Sequence, residues 1–450
     1  MSNSNSQSAH PQSVNHRDIH SRCASPSLAK MDVAAVAGID WADQKHDLCL
    51  LDLEASGGPR YQEQIISHTP EALTALVNSW RERFPGRKVA VVLEQSRGAL
   101  IHHLMGYDFL LLYPINPSAL DSYRKTFKSS GAKNDTTDAF LLCDLLYKHS
   151  DQYRPWHPQS EQTRMLERLT RDRRQAVNHQ TRLTQQLQST LKEYYPQALQ
   201  WAGDSLNSPM ALDFLERYPT LEAVKRPRTE TLRRFYGQHH SRSQAKIEQR
   251  LEEIKNAQPL HRDSAIIASC RMKVAMLVAQ LRALHDSIKA YDKAIAEIVK
   301  SHPDGDLFAS FPGAGAQLAP RLIAAFGDDR ERFANPGDMQ QFSGIAPVIK
   351  KSGKSEHIHK RYACPGFIRQ TFHEFAGHSI SWSRWAKAYY NQQKAKGVAT
   401  HVILRALAFK WQRIMWRCWK DGVTYEEELY IEALRRRNSP LADVLTAPPA

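Results

Sequence analysis

Short apolar runs that end in acids give the first readable pattern along the chain. VAAVAGID (residues 33–40) is an unbroken apolar run closed by an aspartate, as expected of a strand covered on both faces. HDLCLLDLE (46–54) alternates in the manner of a second strand, and 62–67 predicts a third. Leu73, Leu76, Val77 and Trp80 recur at helical spacing and predict a helix over 70–83. KVAVVLE (88–94) is another buried strand ending in an acid, YDFLLLYPIN (107–116) a further one, and 135–148 a helix that opens with acids. Three hairpin-like strands followed by alternating helix and strand predict an α/β domain over 31–155. Residues 1–30, polar and low in complexity, are expected to be a disordered tail.

Beyond 155 the period changes. Residues 161–195 read as one long polar helix rich in Arg and Gln. Over 264–300, Ile267, Cys270, Val274, Leu277, Leu281, Leu284, Ile288, Tyr291, Ile295 and Ile298 keep 3-4 spacing, the signature of a coiled coil. The first helix holds that register poorly, with Arg173 and Gln180 on its seam. The two helices could pair as arms, within one chain or between chains, or pack as a plain helix pair. Residues 200–260 form a small basic helical insert, so that 156–303 is an arm region. Residues 304–436 predict a third unit, mostly helical and basic, and 437–450 a loose Pro/Ala-rich tail. The fold class is therefore α/β plus α.

Charge adds a second division. The 450 residues carry 61 Lys+Arg against 47 Asp+Glu, net +14. Residues 1–155 hold 16 cations and 17 acids, and the remainder holds 45 and 30. The whole excess lies beyond the first third, which points to a near-neutral unit joined to units that grip a polyanion, nucleic acid first among them. With 42% hydrophobic and 24% charged residues, no apolar run reaches the roughly 18–20 residues of a membrane span. The N-terminus lacks a signal peptide's apolar core, so a cytoplasmic, nucleoid-associated protein without a membrane partner is expected. The six cysteines are scattered without a CxxC pair, which argues against a zinc knuckle and a disulfide framework.

Four acids are candidate metal ligands. Asp40 and Glu94 close buried strands, and a buried carboxylate needs a cation or donors. Asp135 and Asp138 are three apart in a predicted helix and share a face. Four carboxylates can hold one or two Mg²⁺ (or Mn²⁺) ions, and paired metals suit phosphodiester chemistry. Strand-end acids also commonly face solvent, Asp135 could cap its own helix, and Asp43 and Asp47 lie close to Asp40 in sequence.

Two further constellations follow. In FPGAGAQLAPRLIAAFGD (311–328), Gly313 and Gly315 precede an apolar helix, a helix–hairpin–helix-like turn whose backbone N–H groups suit a phosphate, or else a plain helix corner. In 342–370, Lys350, Lys351, Lys354, Lys360, Arg361 and Arg369 surround Ser352 and Ser355. A serine among cations could attack a phosphodiester, although a loop serine is more often a solvated turn residue. The aromatics of 381–422 could stack on bases, but their spacing fits a packing stripe better.

Together, GIDWADQKHDLCLLDLE, VVLEQSRGAL, KNDTTDAFLLCDLL and the PGAG…GD…F…GIAP…SGKS order resemble the DEDD-type insertion-sequence transposases. This is the family numbered one-ten, with its eleven-eleven subgroup and the pilin-gene invertases; the resemblance spans about 33–430. It implies a ribonuclease-H-like (RuvC-like) N-terminal domain whose Asp40, Glu94, Asp135 and Asp138 bind Mg²⁺. It also implies a C-terminal transposase domain whose SG serine maps to Ser352, with Ser355 as runner-up. Known members use a structured non-coding RNA, a bridge RNA, to pair with donor and target DNA. They act as homodimers that assemble into tetramers, with active sites shared between subunits through the coiled coil. The chain departs from the family pattern in its N-terminal tail, in KNDTTDAF, which lacks an Arg between the acids, and in SEHIHKR.

Overall fold

The computed structural model describes residues 28–56, 60–94, 98–127, 135–239, 243–353 and 355–446. The expected N-terminal tail (to residue 27) and Lys354 lie outside the described residues, as does the side chain of Asp135. The chain divides into two compact units, Met1–Pro158 and Gln159–Ala450.

The first unit is built on strands β1 (Val33–Asp40), β2 (Lys45–Asp52), β3 (Arg60–Ser67), β4 (Lys88–Leu93) and β5 (Leu110–Pro114) in the order β3-β2-β1-β4-β5. β1 runs antiparallel to β2 and parallel to β4, and β4 runs parallel to β5. This mixed order is consistent with the ribonuclease-H-like architecture that the resemblance implied. Helices α1 (Pro70–Arg83), α2 (Ala99–Leu104), α3 (Pro117–Phe127) and α4 (Asp135–His149) complete the unit. α1 starts where sequence placed it because Thr69 accepts from the Ala72 N–H and Pro70 stands in the first turn. Its Leu73, Leu76, Val77 and Trp80 cover one sheet face together with Leu100, Ile101 and Leu104 of α2. α4 covers the other face with Ala139, Leu142, Cys143 and Leu146.

In the second unit, α5 (Glu161–Tyr194) and α11 (Ser264–Ser301) are the two long helices. Gln162 bonds Ser301 and Arg173 bonds Asp292, so they run antiparallel as a hairpin within one chain. Between them lie α6 (Ala198–Trp201), α7 (Pro209–Arg217), α8 (Leu221–Lys225), α9 (Thr229–Gln238) and α10 (Gln244–Asn256), which share a core with the far end of the hairpin. The expected heptad is buried at Cys270, Val274, Leu277, Leu281 and Ile295 and only half-buried at Leu284, Ile288 and Tyr291. By length and composition α11 also passes as a membrane span, with an 18-residue window of mean hydropathy 1.4. This corrects the expectation that no segment would pass. Its apolar face packs instead on α5 and the insert.

α12 (Gly305–Ala309), α13 (Gly315–Phe326), α14 (Pro336–Phe342), α15 (Gly366–Trp382), α16 (Arg384–Ala395), α17 (Thr400–Asp421), α18 (Glu427–Arg436) and α19 (Pro440–Thr446) follow. A two-stranded sheet of β6 (Val348–Ser352) and β7 (Ser355–His359) interrupts them. Leu166 of α5 and Ile295 of α11 are buried in the same core as Phe326, Trp385, Trp411 and Trp419, so the base of the hairpin and the C-terminal helices are one packed body. Leu441 is buried there too: residues 440–446, expected to be loose, form α19 because that leucine finds an apolar site. Trp382, in contrast, is 71% exposed.

Asp328 locks the base of the hairpin. Its carboxylate accepts from the Ser160 N–H (2.5 Å) and the Thr163 hydroxyl (2.5 Å), and His302 lies 3.5 Å away. Burial alone would raise this carboxyl, but the bonds from His302, Thr163 and Ser160 outweigh it and hold the group well below the usual carboxylate range.

Candidate active-site residues in the two units

Strand register assembles the first group of candidates. Ile39 pairs with Leu93 across the parallel β1–β4 ladder, so Asp40 and Glu94 stand side by side at the carboxyl ends of neighbouring parallel strands. That edge is where α/β sheets place their ligands. Asp40 also lies opposite Asp47 of β2. Asp47, set aside on sequence grounds as a neighbour, is thus a further carboxylate at the same edge. Only the strand register reveals it.

α4 brings in Asp138. It can lie close against β1 because position 38 is glycine: a Cβ there would stand 2.1 Å from the Ala139 carbonyl oxygen and 2.7 Å from the Cys143 nitrogen. The Cys143 thiol donates to the Val36 carbonyl (3.3 Å). Asp138 is 2% exposed and pairs with Arg124 of α3, whose Nε (3.0 Å) and Nη2 (2.7 Å) both donate to Oδ1. Arg124 escaped the sequence reading, since nothing local marks it as the partner of an acid on the next helix. Asp144, further along α4, accepts from Tyr61 (3.0 Å) and Tyr123 (2.7 Å) and pairs with Lys148, which ties β3, α3 and α4 together.

A hard cation suits this set in chemistry. Asp40, Glu94 and Asp138 are oxygen donors, and Arg124 engages only Oδ1 of Asp138, not Oδ2. Among the described residues, however, no three acidic, His or Cys side chains gather closely enough to form a ready cage. The Asp135 side chain, the fourth expected ligand, lies outside the described residues, although its backbone opens α4.

His46 closes the turn after β1. It is 1% exposed; its Nδ1 accepts from the Ala42 N–H (3.3 Å) and its Nε2 lies 2.8 Å from His68 Nδ1. Burial, and next the neighbouring His68, hold the His46 ring neutral, with its pKa lowered to about 4.

In the second unit the serine candidates sit on an exposed hairpin. Ser352 ends β6 and Ser355 begins β7, paired across a turn in which Gly353 adopts a positive φ (56°). The Ser355 hydroxyl donates to the Ser352 carbonyl (2.8 Å). Both serines are exposed, but the Ser352 hydroxyl has no hydrogen-bond partner among the described residues. By strand alternation Ser352 and its cross-strand partner Ser355 share one face with Lys350, His357 and His359. Lys350 and Lys360 are exposed, and Lys351 pairs with Glu356 (2.9 Å). Arg361 and Arg369 are half-buried instead. Arg361 Nε donates to the Ala346 carbonyl and Arg369 Nη1 to the Arg361 carbonyl, so both brace the loop after β7.

Gly313 and Gly315 have positive φ (84° and 52°) and form the turn from which α13 starts. A Cβ on Gly313 would press on the backbone of His378 at 3.0 Å.

The model of the DEDD transposases of IS110 matches residues 37–196, which contain all four acids. A second model, of the IS116/IS110/IS902 transposase family, matches 305–391, which contain the glycine turn and Ser352. Together they cover more than half of the chain. The chain belongs to the IS110/IS116 family of transposases. It is 26% identical over 366 residues to a mini-circle protein of Streptomyces coelicolor named as a transposase for IS117, covering 80% of this chain and 87% of that protein. It is 23% identical over 385 residues to an insertion-element IS116 protein of Streptomyces clavuligerus, covering 85% and 94%. An insertion-element IS900 protein of Mycobacterium paratuberculosis matches at 23% over 396 residues, covering 86% and 96%. As a transposase of a mobile element, the chain is an enzyme that acts on DNA.

Proposed function

We propose that this transposase cuts and rejoins DNA through a covalent serine intermediate, with Ser352 as the nucleophile and the acidic set of the first unit as a Mg²⁺ (or Mn²⁺) site. The observation that carries the reading is the state of the two serines. Both serines are exposed on the face that carries Lys350, but Ser355 spends its proton on the Ser352 carbonyl, whereas the Ser352 hydroxyl has no partner among the described residues. The Ser352 Oγ–P bond forms as one P–O bond to a deoxyribose breaks, and the departing oxygen takes a proton. Rejoining is the reverse attack by an incoming hydroxyl, so the phosphoester is conserved and no nucleotide cofactor is required. Lys350 and Lys360, with Lys354 in the same run, offset the charge that gathers on the phosphate. Asp40, Glu94, Asp138 and Asp135 would hold the metal, whose positive charge would stabilise the oxyanions of the phosphoryl transfer.

The +15 balance beyond residue 155 supports a polyanion-gripping second unit. We extend the reading to the partners that the resemblance implies: donor and target DNA, a structured non-coding guide RNA, and a homodimer assembling into a tetramer in the cytoplasm, at the nucleoid. Labelled element-end DNA incubated with protein, Mg²⁺ and the RNA transcribed beside the gene should give a protein–DNA adduct under denaturing conditions. Ser352→Ala should abolish the adduct and Ser355→Ala should keep it. An adduct that survives Ser352→Ala refutes the assignment, and hydrolysed ends without an adduct would favour a water-using nuclease.

A further inference from the structure

The second unit contains a cavity of about 500 Å³ at the start of α13, away from the serine hairpin in sequence and lined also by α5 and α15. α13 is a 12-residue helix with no side-chain cap on its first turn, so its leading N–H groups and the positive end of its dipole are left for another acceptor. A Cβ on Gly315 would meet nothing within 4 Å, and Ala316 and Gln317 are exposed, so the approach is open.

The side chains around this turn are cationic beyond their internal pairing. Arg173 is matched by Asp292 (2.6 and 3.2 Å). Arg174 and Arg321, however, share one carboxylate: Arg174 Nη1 is 3.1 Å from Glu374 Oε1 and Arg321 Nη1 is 2.5 Å from Glu374 Oε2. Arg321 is 8% exposed, with Nε donating to Thr371 (3.0 Å). Its Nη2 and the Nε of Arg174 are buried with no acceptor among the described residues. Two guanidinium groups on one carboxylate leave a surplus positive charge and two unsatisfied donors, an arrangement that costs stability unless an anion completes it. Burial lowers the Arg321 pKa, Glu374 opposes the shift, and the charges of Arg174 and Arg173 act in the same direction as burial.

We propose that this cavity is a seat for one backbone phosphate of a nucleic acid, held by the first-turn N–H groups of α13 together with Arg174 and Arg321. The inference rests on the nucleic-acid reading above and adds two arginines that the glycine turn did not announce, one of them on the arm helix α5. The seat therefore couples the grip on the strand to the base of the helical hairpin. A phosphodiester of DNA and one of RNA present the same group, so the test uses both.

Full-length Ala316→Glu places a carboxylate in the first turn, where it favours the helix and competes for the seat. Its melting temperature without phosphate should equal or exceed that of wild type. At constant ionic strength, inorganic phosphate should raise the melting temperature of wild type but not of Ala316→Glu. The affinity for a short DNA duplex or a single-stranded RNA should fall about tenfold, and the slope of log K against log salt should drop by about one. Arg174→Ala should lower affinity and slope in the same way. The strand whose slope changes is the seat's occupant. Wild-type phosphate protection and unchanged slopes on both nucleic acids in both variants overturn the proposal. The serine chemistry is read separately: at saturating nucleic acid the seat variants should still form adduct. A slope change without any adduct keeps the seat and rejects the serine.

Discussion

Gly38→Ala adds a single methyl group at the point where the sheet and α4 meet. The new Cβ would lie 2.1 Å from the Ala139 carbonyl oxygen and 2.7 Å from the Cys143 nitrogen. Both are backbone atoms of a helix, so no rotamer change relieves the contact, and α4 must lift from β1 by roughly 1 Å to restore van der Waals spacing. Overpacking of this kind costs about 1–3 kcal/mol, and the rigidity of both neighbours places Gly38 at the upper end. Alanine returns about 0.5–1 kcal/mol of backbone entropy to the strand, leaving a net loss of about 2 kcal/mol. The same lift displaces Asp138, and if the acidic set acts as proposed, a displacement of about 1 Å can cost about 100-fold in rate. Hydrogen–deuterium exchange of the 33–52 hairpin and of α4 reports the first unit separately from the second. Gly38→Ala should lose protection there and slow adduct formation by one to two orders of magnitude. Exchange and adduct rates both within twofold of wild type would refute the close-packing argument.

Other outcomes follow from the same geometry. Arg124→Ala leaves the buried Asp138 without its cation and should destabilise the first unit by about 3 kcal/mol, and added Mg²⁺ should restore part of the loss in a thermal melt. A melt insensitive to Mg²⁺ would count against the metal reading. His46 titrates at about 4 when folded against 6.5 unfolded, so its neutral form stabilises the fold above 6.5. That contribution, up to about 3 kcal/mol, is lost as pH falls from 6.5 to 4, and His46→Gln should flatten the pH profile of exchange at Ala42. Asp328 is held below its usual value, so its contribution is present above the unfolded carboxyl pKa and is lost as pH falls below it. Asp328→Asn should therefore be less stable than wild type at neutral pH by about 2 kcal/mol, with the gap closing in acid, as read by urea unfolding at several pH values.

Much of the architecture was legible because its causes are local. α1 occupies residues 70–83 as expected, since a cap, a first-turn proline and an apolar stripe coincide there. The long helices, the two buried strands and the glycine turn before α13 likewise follow from periodicity and backbone preference. Positions of Asp40 and Glu94 at strand ends were readable for the same reason, and so was the serine pair within a basic run. The aromatics of 381–422 were ambiguous because base stacking and core packing favour the same residue types. Trp385, Trp411 and Trp419 went to the core, and Trp382 to the surface.

The sequence by itself determined which segments are strands and helices, where the acids and cations concentrate, and the family to which the motifs point. Pattern and capping act over a few residues and need no partner. Only the tertiary structure decided what those segments meet. It set Asp47 opposite Asp40, gave Arg124 to Asp138, and placed one carboxylate between Arg174 and Arg321. It also engaged the Ser355 hydroxyl with the Ser352 carbonyl across the β6–β7 turn. Each of these depends on strand register or on side-chain packing between separate elements. The energy of such contacts appears only once burial has removed competing water, so no local pattern of residues can record it.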